Sequence, residues 1–129
     1  MAAEAICKIK KEVVEAFHKM WDHYPSVVML IRADRIILAV NLEGAKLNIQ
    51  PGVQCFRLAG REEVCDHCKA NEALREGSAK RFTGYIERLR QIRDSYWVPV
   101  SGEEKIYVHF GNDITAFASD ELHTKIKGE

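Results

Sequence analysis

The stretch Pro51–Gly77, PGVQCFRLAGREEVCDHCKANEALREG, constrains this chain most. Glycine and proline cut it into short helical pieces: a turn at Pro51-Gly52, a helix ended by Gly60, a loop, and a helix from about Asp66 ended by Gly77. Two β-branched apolar runs precede it and three strand-like runs follow. The simplest object with that order is an antiparallel sheet with a helical patch lying across one face. The patch also holds Cys55, Cys65 and Cys68, three of the chain's four cysteines.

At 129 residues the chain has the length of one domain. A domain of that size buries roughly two-thirds of its unfolded surface and folds without a staple. Nineteen basic residues balance nineteen acidic ones, so no whole-molecule field draws nucleic acid or an anionic membrane. The N-terminus, MAAEAICKIKKEVVEAF, is too charged for a signal peptide. The most apolar run, VVMLIRADRIILAV, is broken by Arg32, Asp34 and Arg35, short of the ~20 residues that span a membrane. A cytoplasmic location is expected, where reduced cysteines favour metal or redox chemistry over a structural disulfide.

Residues 4–24 place Ile6, Ile9, Val13, Phe17, Met20 and Tyr24 on one helical face, widened by Val14 and Trp21. Val27–Arg32 and Ile36–Asn41 read as a hairpin around Ala33-Asp34-Arg35, a break without glycine. Asn41 suits the N-cap of a short helix, Leu42–Asn48. After Gly77, Lys80–Leu89 reads as a strand with no clear turn after it. Ile92, Asp94, Tyr96, Val98 and Val100 then alternate with Arg93, Ser95, Trp97 and Pro99. Lys105–Asn112 is the last strand, with Ile106, Val108 and Phe110 opposite Tyr107, His109 and Gly111. Both of its faces carry large side chains, so the N-terminal helix is expected to cover the second. Ala116–Lys127 reads as an exit helix.

That order resembles the PAS family of sensory domains. VVMLIRADRIILAVN looks like the family's opening hairpin, ending in Asn41, and IQPGVQCF like the stretch before its middle helix. YVHFGNDIT, residues 107–115, looks like its closing strand, with Asp113-Ile114-Thr115 at the end. The likeness covers about residues 26–115. The patch resembles a cysteine-bearing subset: Gly52 to Cys55, then Gly60-Arg61, then Cys65 to Cys68 opening a helix. It departs from a full ligand set, since the fourth cysteine, Cys7, lies on the N-terminal helix.

The resemblance implies an α+β fold: a PAS-like five-stranded antiparallel sheet, short helices over one face, and an N-terminal helix covering the other. It divides the chain into an amphipathic dimerisation or capping helix, 1–25, a sensory core, 26–115, and an exit helix, 116–129. It implies a non-enzymatic sensory and ligand-binding module for signal transduction, reporting redox state, a metal centre or a small molecule. A homodimer through the N-terminal helix and a separate signalling partner protein are expected, with no nucleic acid or membrane partner. The alternatives are a small thiol-disulfide oxidoreductase using Cys65 and Cys68, or a structural zinc-binding interaction domain.

Three thiolates at Cys55, Cys65 and Cys68 would fill three corners of a zinc or iron–sulfur site, with Asp66 or His67 for the fourth. The same cysteines would serve as a thiol-disulfide switch, or simply pack. Lys69 after Cys68 is not the histidine that covalent haem attachment needs, and haem on His67 ranks below the other readings. Tyr96, Val98, Val108 and Phe110 are the candidates for the wall of a ligand or cofactor pocket, although alternation cannot say which face is inner. His109 lines the pocket or faces the N-terminal helix. Arg88, Arg90 and Arg93, flanked by Glu87 and Asp94, read as a solvated basic face.

Overall fold

In a computed structural model, residues 2–118 and Asp120 are described, with side chains from Lys11 onward. Helix α1, Ala2–Trp21, leads into the hairpin β1, Val28–Arg32, and β2, Ile37–Val40. The middle holds α2, Leu42–Lys46, a 3-10 turn at Cys55–Ala59, and α3, Ala70–Glu76. Strands β3, Lys80–Ile86, β4, Gln91–Pro99, and β5, Ile106–Asp113, follow. The five strands form one sheet in the order β2-β1-β5-β4-β3, every neighbour antiparallel. The last strand is therefore central: Phe110 pairs with Val28 on one side and Tyr96 on the other. Thr115–Phe117 is a second 3-10 turn, and the rest of the expected exit helix, 119 and 121–127, lies outside the described residues. Among the described residues no helix is long and apolar enough to cross a membrane.

Period two divides the core into two layers. On one face Ile31, Trp97 and Tyr107 pack with Ala70 and Ala73 of α3. On the other, Phe17 of α1 is only 2% exposed and packs with Val28, Leu30, Ala39, Ile106 and Val108. Val13, Val14, Trp21 and Tyr24 extend that contact, whereas Met20 is 71% exposed. The seam of α1 thus runs through Val14, Phe17, Trp21 and Tyr24, and Met20 falls off its edge.

Two polar side chains hold the hairpin region. Asn41 is fully buried. Its Oδ1 accepts from the Val28 and Gly44 amides at 3.0 and 3.1 Å, capping α2. Its Nδ2 donates to the carbonyls of Trp21, Tyr24 and Ser26 at 3.1, 3.3 and 2.8 Å. One amide therefore ties the end of α1, the start of β1 and α2 together. Arg35 explains the turn without glycine. It takes φ 75, a strained left-handed conformation, and buries its guanidinium to 4% exposure, bonded to Asn71 of α3. Its Nη1 bonds the Ala33 carbonyl as well as Asn71, tying the turn to α3.

The helical patch differs from expectation at one end. Gly60 and Gly77 do stop their helices, at φ 74 and 64. However, α3 begins at Ala70 rather than Asp66, so Cys65 and Cys68 precede the helix and do not sit on its N-terminus. Ala70 and Ala73, fully buried, seat α3 on the sheet. The residues before them bridge a cavity, and the Cys68 amide bonds back to the Cys65 carbonyl at 3.1 Å. The turn after β3 is Glu87–Arg90, closed by a left-handed Arg90 at φ 55.

Asn41→Ala is expected to destabilise the fold by about 3–5 kcal/mol, because it strands buried donors and carbonyls together. Asn41→Asp is expected to be as severe at neutral pH, where a carboxylate would face those carbonyls. Its folded pKa would be raised above the unfolded value, so its stability should recover as pH falls. Urea unfolding at pH 7 and pH 5 checks both.

Candidate functional site

The sheet and the helical patch enclose a cavity of about 430 Å³. Its floor is the inner face of β4 and β5: Arg93, Ser95, His109 and Gly111, with Met29 of β1 alongside. Cys55, Leu58, Arg61, Cys65 and His67 form the roof. Ile86, Arg88 and Leu89 of the β3–β4 turn close the rim, where Arg88 and Leu89 are exposed. A volume of this size falls within the range of ligand pockets, roughly 300–1,000 Å³.

The floor is polar and built around a missing side chain. Ser95 pairs with Gly111 across the ladder. A Cβ on Gly111 would lie 2.8 Å from Ser95 Oγ and 3.4 Å from Arg93 Nε and Nη2. Arg93, half-buried, lies over this gap and bonds the Gly111 carbonyl at 2.6 Å and Gln91 Oε1 at 2.8 Å. Burial lowers its pKa. Ser95 Oγ has no hydrogen-bond partner among the described residues.

His109 is held by two contacts. Its Nδ1 lies 2.8 Å from the Tyr96 carbonyl, and its ring stacks on Trp97 at 4.7 Å. Burial pushes its pKa down to about 4, so the ring is neutral at pH 7. Facing a carbonyl, Nδ1 must carry the proton, which leaves Nε2 as an acceptor. His67 stacks on Phe82 at 4.8 Å, and burial lowers its pKa too.

The three patch cysteines are free thiols, each half-buried. Cys55 and Cys65 line the cavity, while Cys55 and Cys68 pack on the Trp97 and Tyr107 core. Burial, then the neighbouring Cys68, pushes the Cys55 pKa up to about 11. Burial and Cys68 raise Cys65 as well. The thiols therefore lie within electrostatic reach of one another. Among the described residues, though, no three His, Cys, Asp or Glu side chains are grouped closely enough to hold a metal ion. A zinc or iron–sulfur site at Cys55, Cys65 and Cys68 does not fit this arrangement. Arg35 adds a positive charge beside Cys55 and Tyr107, and its buried Nε has no partner among the described residues.

The expected pocket wall lies mostly on the other face. Val98, Val108 and Phe110 pack in the α1 layer. The ring of Tyr96 stacks on Phe110 at 5.3 Å, and Phe110 meets Trp21 at 5.3 Å and Tyr24 at 5.7 Å. Phe110 alone of the four also borders the cavity. The reason is parity: the alternate set, Arg93, Ser95 and His109, is the one that looks inward. The basic cluster read as a solvated face thus divides, with Arg88 and Arg93 lining the cavity. Ser95 and Arg93 opposite a glycine was the signal that alternation alone did not use.

The low His109 pKa links to stability. The unfolded chain takes up this proton near pH 6.5 and the folded chain only near pH 4. The stabilisation is thus complete above pH 6.5 and lost as pH falls through that window, on the order of 2–3 kcal/mol. His109→Gln should flatten the change in urea midpoint between pH 7 and pH 4.5.

No protein-family description matches the sequence, and no curated protein does. Solved structures do. The crystal structure of a sensory box sensor histidine kinase from Vibrio cholerae matches with a TM-score of 0.56 at 17% identity, over 88% of this chain and 95% of that one. A C-terminal domain from Streptococcus mutans matches at 0.53 and 22% identity, over 81% and 87%. A domain of an HTR-like protein from Haloarcula marismortui matches at 0.51 and 19% identity, over 70% and 99%. At these identities the likeness is one of fold: the chain has a PAS-like α+β fold, five antiparallel strands with helices on both faces.

Proposed function

We propose that the chain is a non-enzymatic PAS-type sensory module, in which a small molecule occupying the cavity alters α1. One observation carries this reading. Strand β5 presents His109 and Gly111 to the cavity and Val108 and Phe110 to the α1 layer. Its Asn112 Oδ1 accepts from Tyr24 Oη at 3.0 Å, just beyond α1. A shift of the β4–β5 floor therefore moves the groups on which α1 rests. In this reading α1 pairs with a second copy. An apolar groove beside it, lined by Val13, Ala16, Met20 and Val108, and the exposure of Met20 support that pairing. The module acts in the cytoplasm on a separate partner protein.

Amide hydrogen exchange tests both halves. Exchange within Ala2–Trp21 should change on ligand binding, and should slow as protein concentration rises through the dimerisation range. Exchange in α1 that is indifferent to every cavity ligand would sink the coupling. Indifference to concentration would sink the dimer.

The grouping of Cys55 and Cys65 on the cavity wall, and of Cys55 and Cys68 on the Trp97 and Tyr107 core, supports a second reading, a thiol-disulfide element in the same module. An oxidoreductase is less suited to it, since a reactive dithiol needs a lowered pKa and Cys65 is raised. In the redox form, glutathione disulfide accepts the two electrons as two thiols join and release their protons. Mass spectrometry after such treatment should show one intramolecular disulfide, lost in Cys65→Ser. Thiols that stay reduced under that treatment merely pack.

A further inference from the structure

The cavity lining carries more positive than negative charge. Arg61, Arg88 and Arg93 line it, and Asp66 is the one acidic residue among its lining. Asp66 lies 3.4 Å from Arg61 and is spent there. Arg93 bonds only neutral oxygens, those of Gln91 and Gly111. Arg88, exposed at the rim, makes no hydrogen bond or ion pair among the described residues. Arg93 senses Asp113, its cross-strand partner outside the cavity lining, and, less strongly, Arg88 as a like charge. Two guanidiniums facing one cavity without an acid between them are stabilised by an anion that enters it.

The neutral groups narrow the choice. Ser95 Oγ, unpartnered among the described residues, stands beside Arg93 over the gap at Gly111. His109 Nδ1 is engaged with the Tyr96 carbonyl, so Nε2 offers a lone pair on a residue that lines the same cavity. The floor thus sets donors for an acid group next to an acceptor for a hydroxyl or amine. An ammonium would meet the repulsion of the arginines, which leaves the hydroxyl. Met29, Leu58, Ile86 and Leu89 offer apolar surface to the remainder of the molecule.

We infer that the cavity binds a 2-hydroxy carboxylate with an apolar side chain: Arg93, Arg88 and Ser95 hold the carboxylate, His109 accepts from the hydroxyl, and Met29, Leu58, Ile86 and Leu89 cover the side chain. This deepens the sensory reading and rests on it for its consequence, not for the binding itself.

Calorimetric titration of the full chain with phenyllactate, phenylpropionate, phenylalanine and phenyllactate amide tests it. Phenyllactate should bind. Phenylpropionate, which lacks the hydroxyl, should bind about tenfold more weakly, the worth of one hydrogen bond. Phenylalanine and the neutral amide should be weaker still. Arg93→Met should abolish binding, and Arg93→Lys should retain part of it. Gly111→Ala, which fills the gap without removing a polar group, should weaken phenyllactate about tenfold or more. Thermal unfolding of each variant shows whether it remains folded.

The assignment is overturned if phenyllactate gives no heat at millimolar concentration. It is equally overturned if phenyllactate binds no better than its amide, or if folded Arg93→Met and Gly111→Ala both bind like the parent. Failure of the sensory reading looks different: phenyllactate binds as expected, yet α1 exchange does not respond. If instead an uncharged ligand alters α1 exchange and phenyllactate does not bind, the sensor stands and the anion site falls.

Discussion

The pairing of β5 between β1 and β4 is the constraint on which the rest depends. It brings together segments separated by most of the chain, Val28 with Phe110, and closes the β4–β5 ladder on its other side, Arg93 with Asp113. Once β5 is central, both of its faces must be covered, because neither can turn to water without exposing Tyr107 or Ile106. The patch and α3 cover one and α1 the other. A cavity on one face and a helix on the other thus share the same strand.

Much of this was legible. The alternation of Ile106 to Gly111 gave the two faces of β5, and the spacing of Val13 and Phe17 gave a helix to cover one of them. Asn41 was readable as a cap because Asn accepts from helix amides, and Gly60 and Gly77 because they tolerate the left-handed region. What was not legible came from long-range contact. Both faces of β4 and β5 are buried, so alternation is symmetric and cannot tell Tyr96 and Val98 from Ser95 and Trp97 as the inner set. The start of α3 depends on where Ala70 meets the sheet, not on Asp66 as a helix former. Nor does sequence show that Arg35 takes a left-handed backbone and buries its guanidinium against α3.

The thiols illustrate the difference between a motif and a site. The spacing of Cys65 and Cys68 suits a metal or a disulfide. Yet the reactivity of a thiol is set by its surroundings, and here burial pushes Cys55 and Cys65 away from the thiolate form. Most of the charged groups that line the cavity are arginines, which composition hides because the chain as a whole is neutral.

Asn41 has a mechanical consequence. It grips the carbonyls of Trp21 and Tyr24, at and just beyond the C-terminal end of a helix of 20 residues. At 1.5 Å per residue that helix is about 30 Å long. Anchored at one end, it behaves as a lever with its fulcrum at the amide. A tilt of about 5° there would sweep the far end through about 2.6 Å, a displacement large on the scale of side-chain packing.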